Sequence, residues 1–292
     1  MPSLKDVKLQ IAGVGKTKQI TRAMGMVASA KLRGAQNRIE RFRPYAEKFG
    51  EMLGDLAART EEAAHPLLQV HKKVSSAVII LLTSDRGLCG GFNVNLISTA
   101  LELARARAGE GLAVRFICVG RKGRDAVRKT EFETIESYGD VMGSFDFRLA
   151  VRLGGKVAQL YESGEADEVY LVYSQFAGMT RQIPTTMALL PVISSAKGGD
   201  EEAPAAECLY EPEVGTLLAE LLPRYVNVQI YRGLLDNSAS ENAARMASMD
   251  NATRNCDELT NSLTLLYNKT RQAAITNELI DIVGGANAQQ SQ

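Results

Sequence analysis

The chain is poor in the residues from which most active sites are built. It has two histidines, His65 and His71, and four scattered cysteines, Cys89, Cys118, Cys208 and Cys256. Both histidines fall in one polar stretch, so no Ser/His/Asp or Cys/His set can be drawn, and the cysteines show neither CxxC nor metal-like spacing. No catalytic residues, cofactor-binding residues or metal ligands are therefore expected. Scattered thiols in a chain of 292 residues suit a reducing compartment, where cysteine serves as a small hydrophobe. No apolar run reaches the ~18–20 residues that would span a bilayer, so no direct membrane insertion is expected. The opening Met1-Pro2-Ser3-Leu4-Lys5-Asp6 lacks the apolar core of a signal peptide. Proline is missing from the last 69 residues, Arg224 to Gln292, and about the first 57 contain one interior proline, Pro44.

Both proline-poor ends carry apolar or small residues at helical spacing. Unbroken, they would make helices of roughly 80 and 100 Å at about 1.5 Å per residue. A core made by this chain alone cannot bury helices of that length, so they must pair with each other and with other subunits. Ser3 and Asp6 supply a cap and an acid at the first helix start. A heptad register follows through Leu4, Val7, Ile11, Val14, Lys18, Thr21, Gly25, Ala28, Leu32, Ala35, Ile39, Phe42, Ala46, Phe49, Leu53 and Leu56. Its 3-4 spacing is that of a left-handed coiled-coil seam. The middle of the seam is small or polar, while Ile20, Met24, Met26 and Val27 put apolar mass on other faces. Pro44 removes one backbone hydrogen bond and is expected to bend this helix. The closing helix is expected to start near Pro212, with small polar side chains over 236–257.

Charge is uneven although the net formal charge is zero. Residues 1–59 hold twelve Lys/Arg against five Asp/Glu, and residues 224–292 hold six against seven. A basic helix can meet nucleic acid, anionic membrane or acidic protein surfaces, or simply present a solvated face.

Between the helices the composition changes. Residues 60–73 read as a polar linker, with His65-Pro66 stopping the first helix. Ala77–Leu82 is a continuous apolar run, the mark of a strand buried in a parallel sheet. A helix over about 95–107, a strand over 113–119, a short helix over 124–129, a helix over 146–163 and a strand over 168–173 follow. The alternation predicts a Rossmann-like α/β domain, with 180–190 as an antiparallel edge strand. The fold class is thus α/β: an antiparallel coiled coil of long N- and C-terminal helices with an inserted Rossmann-like domain. The boundaries are 1–59, 74–195 and 211–287.

Two glycine-bearing segments could suggest phosphate binding. Gly13-Val14-Gly15-Lys16-Thr17 ends like a phosphate loop, but that motif needs a glycine where Gln10 stands and a preceding strand, and here a helical heptad runs through. Ser84-Asp85-Arg86-Gly87-Leu88-Cys89-Gly90-Gly91-Phe92-Asn93 lies between a strand and a helix, where an anion nest is physically reasonable. It lacks G-x-G-x-x-G and an acidic ribose partner, so a tight structural turn is favoured. The carboxylate pairs Glu61-Glu62 and Glu201-Glu202 sit in polar loops, where solvation is the default.

The C-terminal run Ile275-Thr276-Asn277-Glu278-Leu279-Ile280-Asp281-Ile282-Val283-Gly284-Gly285-Ala286 closely resembles a signature of the gamma subunit of F-type ATP synthases. Lys18–Met24, Met26-Val27-Ala28, Ser84–Asn93, Tyr210-Glu211-Pro212, Tyr267-Asn268-Lys269 and Arg271-Gln272-Ala273 resemble the same family, in its order, over the whole chain. Gly25 departs from it, since many relatives carry a larger polar residue there. Cys208 stands where some relatives have tyrosine. The resemblance implies a non-catalytic central rotor shaft that couples ion flow through a membrane c-ring to ATP synthesis or hydrolysis. It further implies one copy inside a hexamer of three alpha and three beta subunits, with the inserted domain against the epsilon subunit and the c-ring, and no nucleic acid. By correspondence, Met24, Arg271, Gln272 and Thr276 would meet the catalytic subunits, with Glu241 and Arg245 beside them. Tyr210 and Glu211 would touch the c-ring. Without a transit peptide, the expected location is the cytoplasmic face of a bacterial inner membrane, peripherally. A nucleotide-dependent enzyme and a general coiled-coil scaffold are the competing readings.

Overall fold

The structure, a computed structural model, describes residues 3–58, 65–71, 74–192 and 214–290. Helix α1 (Leu4–Ala58) leads through a 3₁₀ turn (Pro66–Leu68) to β1 (Ser76–Leu82), α2 (Phe92–Gly109), β2 (Ala113–Val119), α3 (Arg121–Val127), β3 (Glu133–Tyr138), α4 (Phe147–Glu162), β4 (Glu168–Phe176), β5 (Gln182–Leu190) and α5 (Val214–Gln290). The chain divides into two compact units, Met1–Ala28 with Met246–Gln292, and Ser29–Arg245. Each long helix contributes one end to each unit.

In the first unit α1 and α5 run antiparallel. As α1 advances from Lys18 to Thr21 to Gly25, its partners on α5 retreat from Asp257 to Thr253 to Met249. Lys18 pairs with Asp257, and the hydroxyls of Thr21 and Thr253 meet at 2.8 Å. Ser3 caps α1: its Oγ accepts from the Asp6 N–H at 3.2 Å, and the Asp6 carboxylate accepts from the Ser3 N–H at 3.2 Å, a capping box. The Gly13–Thr17 segment is helical, with Thr17 Oγ1 donating to the Gly13 carbonyl, so it forms no phosphate loop.

Every described seam position of α1 is buried or half-buried, from Val7 and Thr21 in this unit to Ala35 and Leu53 in the other. Ile20, Met26 and Val27 point away and are more than half exposed. A methyl added at Gly25 would meet only the Met249 Cβ, at 3.5 Å, which is ordinary contact. Gly25→Ala is therefore expected to stabilise the chain by about 0.5–1 kcal/mol, because it removes backbone freedom from the unfolded state without creating a clash. Thermal or urea unfolding would measure this, and a lower midpoint would contradict it.

The second unit holds the sheet, in strand order β3-β2-β1-β4-β5. Strands β3, β2, β1 and β4 are parallel, and β5 is an antiparallel edge. β1 is fully covered from Ala77 to Leu82, as expected for a central parallel strand packed on both faces. One face carries Val78, Ile80, Leu82, Ile117 and Leu171 against α4 and the lower turns of α5, including Leu218, Leu222, Val226, Ile230 and Leu234. The other carries Ile79, Leu81, Phe116 and Val172 against α2, through Phe92, Leu96, Ala100 and Ala104.

Two sequence-based expectations are amended by the structure. Between α3 and α4 runs a strand that the apolar pattern did not reveal, β3; Glu133, Thr134, Glu136 and Ser137 make it a polar edge. Residues 66–68 are not free linker. Leu67 is wholly buried in the core and its carbonyl accepts from the Val192 N–H at 3.0 Å, so an apolar pair inside a polar stretch is an anchor. α1 is helical through Pro44 and α5 through Pro223. Pro212 lies outside the described residues.

Candidate functional site at the carboxyl end of the sheet

In an open α/β sheet, ligands bind outside the carboxyl ends of the strands, where strand order reverses. Here the reversal falls at β1, which has β2 on one side and β4 on the other. The loop leaving β1 is the Ser84–Asn93 segment, and its polar groups are turned inward. Asn93 Oδ1 accepts from the Ser84 N–H at 3.0 Å, and Asn93 Nδ2 donates to Ser84 Oγ at 2.8 Å and to Cys89 Sγ at 3.1 Å. Burial pushes the Cys89 thiol up, so it stays protonated and packs as an apolar group. Leu88 and Gly90 adopt left-handed φ values of 63° and 58° to close the turn.

Asp85 ties this loop to two neighbours. Its carboxylate accepts from the backbone N–H groups of Arg121 at 3.1 Å, Asp140 at 2.9 Å and Met142 at 3.0 Å. The start of α3 is thereby fixed against the β3–α4 connection. Gly120, at the end of β2, has φ +101°, and a Cβ there would lie 2.3 Å from the Thr83 carbonyl oxygen, so only glycine fits.

α5 closes the crevice from above. Residues 233–243 are buried without interruption, although Asp236, Asn237, Ser238, Ser240, Glu241 and Asn242 are polar. The small polar side chains expected over 236–257 therefore have a specific use in this stretch. Ser174 on β4 lies beyond the part of β4 that β1 reaches, and opposite Pro184, which has no N–H to give. Asn237 Oδ1 accepts from the Ser174 N–H at 3.2 Å and Ser240 Oγ donates to its carbonyl at 3.1 Å, so helix side chains replace a missing strand.

One turn on, Arg245 donates to the carbonyls of Arg86 at 3.3 Å and Gly87 at 3.4 Å. Glu241 holds the same guanidinium at 2.7 Å, with both side chains almost buried. Burial pushes the Glu241 carboxyl up, and Arg245 draws it back down. Glu241 and Arg245, placed at subunit contacts by resemblance, are thus joined to each other and clamped on the glycine-rich loop.

Of the other expected site residues, Met24 is half-buried on α1, and Arg271 and Gln272 are exposed on α5. Thr276 Oγ1 donates to the Gln272 carbonyl at 2.9 Å within the helix. Beyond Arg271 nearly every described residue of α5 is exposed, including Ile275, Leu279, Ile280, Ile282 and Val283. Tyr210, Glu211 and Cys208 lie outside the described residues. Among the described residues no His/Cys/Asp/Glu group could hold a metal, and no helix is long and apolar enough to cross a membrane.

Two polar clusters had no counterpart in the sequence reading. One is Asp167 with Ser75, Ser76 and His71. The other is Asp236 with Arg43 and Arg232.

A family model described as ATP synthase matches residues 3–289. The ATP synthase gamma chain of Nitratidesulfovibrio vulgaris (strain Hildenborough) is 64% identical over 288 residues, covering 99% of each chain. That of Maridesulfovibrio salexigens is 60% identical over 289 residues, again covering 99% of each. The chain belongs to the ATP synthase gamma chain family. Among solved structures, the Euglena gracilis mitochondrial ATP synthase in its OSCP/F1/c-ring form contains a chain of similar fold, with TM-score 0.68, 21% identity and coverage of 99% and 95%. The Tetrahymena thermophila mitochondrial ATP synthase central stalk and c-ring structure contains another, with TM-score 0.58, 24% identity and coverage of 80% and 99%. Both share the gamma-chain fold at this level of identity. As a gamma chain, the protein is a non-catalytic subunit of a membrane-associated complex.

Proposed function

We propose that this chain is the central rotor shaft of an F-type ATP synthase, transmitting rotation of a membrane c-ring to the catalytic sites of an alpha–beta hexamer. The observation that carries this reading is the upper part of α5. It leaves its pairing with α1 and continues as a helix with Ile275, Leu279, Ile280, Ile282 and Val283 exposed. Such apolar mass on a single helix calls for a sleeve supplied by other chains. Met24, Arg271, Gln272 and Thr276 would make interchangeable contacts with that sleeve. The shaft would then bias each catalytic subunit through differential contact with its alternative conformers. Glu241 and Arg245 act beside them by holding the Ser84–Asn93 loop in one shape.

The functional segments are 1–59 and 211–287 as the shaft and 74–195 as the foot, docking on an epsilon subunit and the c-ring. Tyr210 and Glu211 would touch the ring's polar loop. The protein works peripherally at the cytoplasmic face of a bacterial inner membrane, and it binds neither nucleic acid nor a cofactor. Mixing the chain with matching alpha and beta subunits should give an asymmetric complex with one copy of this chain, whose ATP hydrolysis depends on adding it. A folded alpha–beta assembly that excludes the chain would overturn the reading and favour a coiled-coil scaffold.

A further inference from the structure

A cavity of about 60 Å³ lies between α1, the end of β4 and α5, away from the clamped loop. Its walls are both apolar, with Ile39, Phe42 and Leu235, and charged, with Arg43 and Glu47 from α1 and Arg232 and Asp236 from α5. It has room for water. Asp236 is 8% exposed, and among the described residues its carboxylate makes neither a hydrogen bond nor an ion pair. A buried ionised carboxylate left in that state is costly, and protonation is the simplest relief.

We propose that this cavity is a proton-binding site, with Asp236 as the acceptor, whose occupancy sets how firmly the middle of α1 is held against α5. The charged form draws water and the two arginines toward the cavity. The neutral form lets its apolar walls close, as the Phe42 ring already does on Tyr231, with centroids 4.9 Å apart. The groups facing Asp236 are Arg43 and Glu47 from α1, Tyr173 and Gln175 from β4, and Arg232 from its own helix. Burial pushes the Asp236 carboxyl up to about 6, against the opposing pull of Arg232 and Arg43.

The sign follows from linkage. A carboxyl raised above its unfolded value of about 3.9 takes up a proton on folding, so its ionisation disfavours the folded state as pH rises through about 6. Between pH 5 and pH 8 the folded-to-unfolded ratio should fall about tenfold on this account.

Urea unfolding of the full chain across that range, for wild type and Asp236→Asn, isolates the site from the histidines. Asp236→Asn, neutral in both states, should approach wild type only below about pH 4, exceeding it about tenfold near pH 5 and about a hundredfold near pH 8. Arg43→Gln should move the titration midpoint upward, because a charge favouring the carboxylate is gone. Carboxyl carbon NMR of aspartate-labelled wild type gives a readout independent of any variant, and one resonance should titrate near neutrality. The proposal fails if every aspartate titrates below pH 5, if Asp236→Asn keeps the wild-type pH slope, or if Arg43→Gln leaves the midpoint in place.

Discussion

Replacing Arg245 with alanine is expected to destabilise the folded chain by about 3–5 kcal/mol, the usual result of removing one partner from a buried ion pair. The arginine makes three bonds that nothing else in the site can make: one to Glu241 and one to each carbonyl of Arg86 and Gly87. Its loss leaves a nearly buried carboxylate without its cation and two loop carbonyls without their donor. Glu241→Gln should do less, since an amide oxygen can still accept from the guanidinium and no charge is left buried. A double-mutant cycle over Arg245→Ala and Glu241→Ala is then expected to show coupling of about 1–3 kcal/mol. Coupling near zero would mean that each side chain acts alone. The consequence reaches the loop as well. With the clamp gone, amide exchange over Arg86–Gly90 should accelerate, while exchange within β1 stays slow.

Much of this architecture was legible in the sequence because it repeats. The α1 seam could be followed from Leu4 to Leu53 because one face of a long helix is written fifteen times over. β1 was legible because both faces of a central parallel strand are apolar, and Ala77–Leu82 has no polar interruption. β3 was not located, since an edge strand with one covered face reads Glu-Thr-Ile-Glu-Ser-Tyr and resembles a loop. The site was legible only by family likeness. Glu241 and Arg245 are an ordinary i,i+4 pair in the sequence, and nothing local says that the loop they grip is more than 150 residues away, Arg245 to Arg86. Polar residues at 236–242 read only as small and polar, because periodicity cannot distinguish a wet face from one whose hydrogen bonds are met by a strand end. His71 looked idle for the same reason: its partner lies 96 residues along the chain.

That partner, Asp167, is the site of the other large effect. Asp167 is 6% exposed just before β4, and one carboxylate oxygen accepts four bonds at the start of β1. These come from the Ser75 N–H at 2.8 Å, the Ser76 N–H at 2.9 Å, and the hydroxyls of Ser75 at 3.0 Å and Ser76 at 2.9 Å. The other oxygen lies 2.7 Å from His71 Nδ1, whose ring stacks on Tyr161. Burial alone would push this carboxyl up. The Ser75 N–H, His71 and the two hydroxyls outweigh it and hold the group well below the usual carboxylate range. A depressed carboxyl contributes stability that is fully present above its unfolded value of about 3.9 and is lost as pH falls toward the folded one. Asp167→Ala, which leaves the Ser75 and Ser76 N–H groups without their acceptor, should cost about 1–3 kcal/mol at pH 7. Asp167→Asn should cost less, because its amide oxygen can still accept the Ser75 and Ser76 bonds while its NH₂ turns to His71 Nδ1. The gap between wild type and either variant should stay constant from pH 7 to about 5, then narrow below about pH 4 as the wild-type carboxyl gains its proton. Urea midpoints across that range decide it: a gap that persists unchanged to pH 2 would assign the loss to packing and leave the charge without a role.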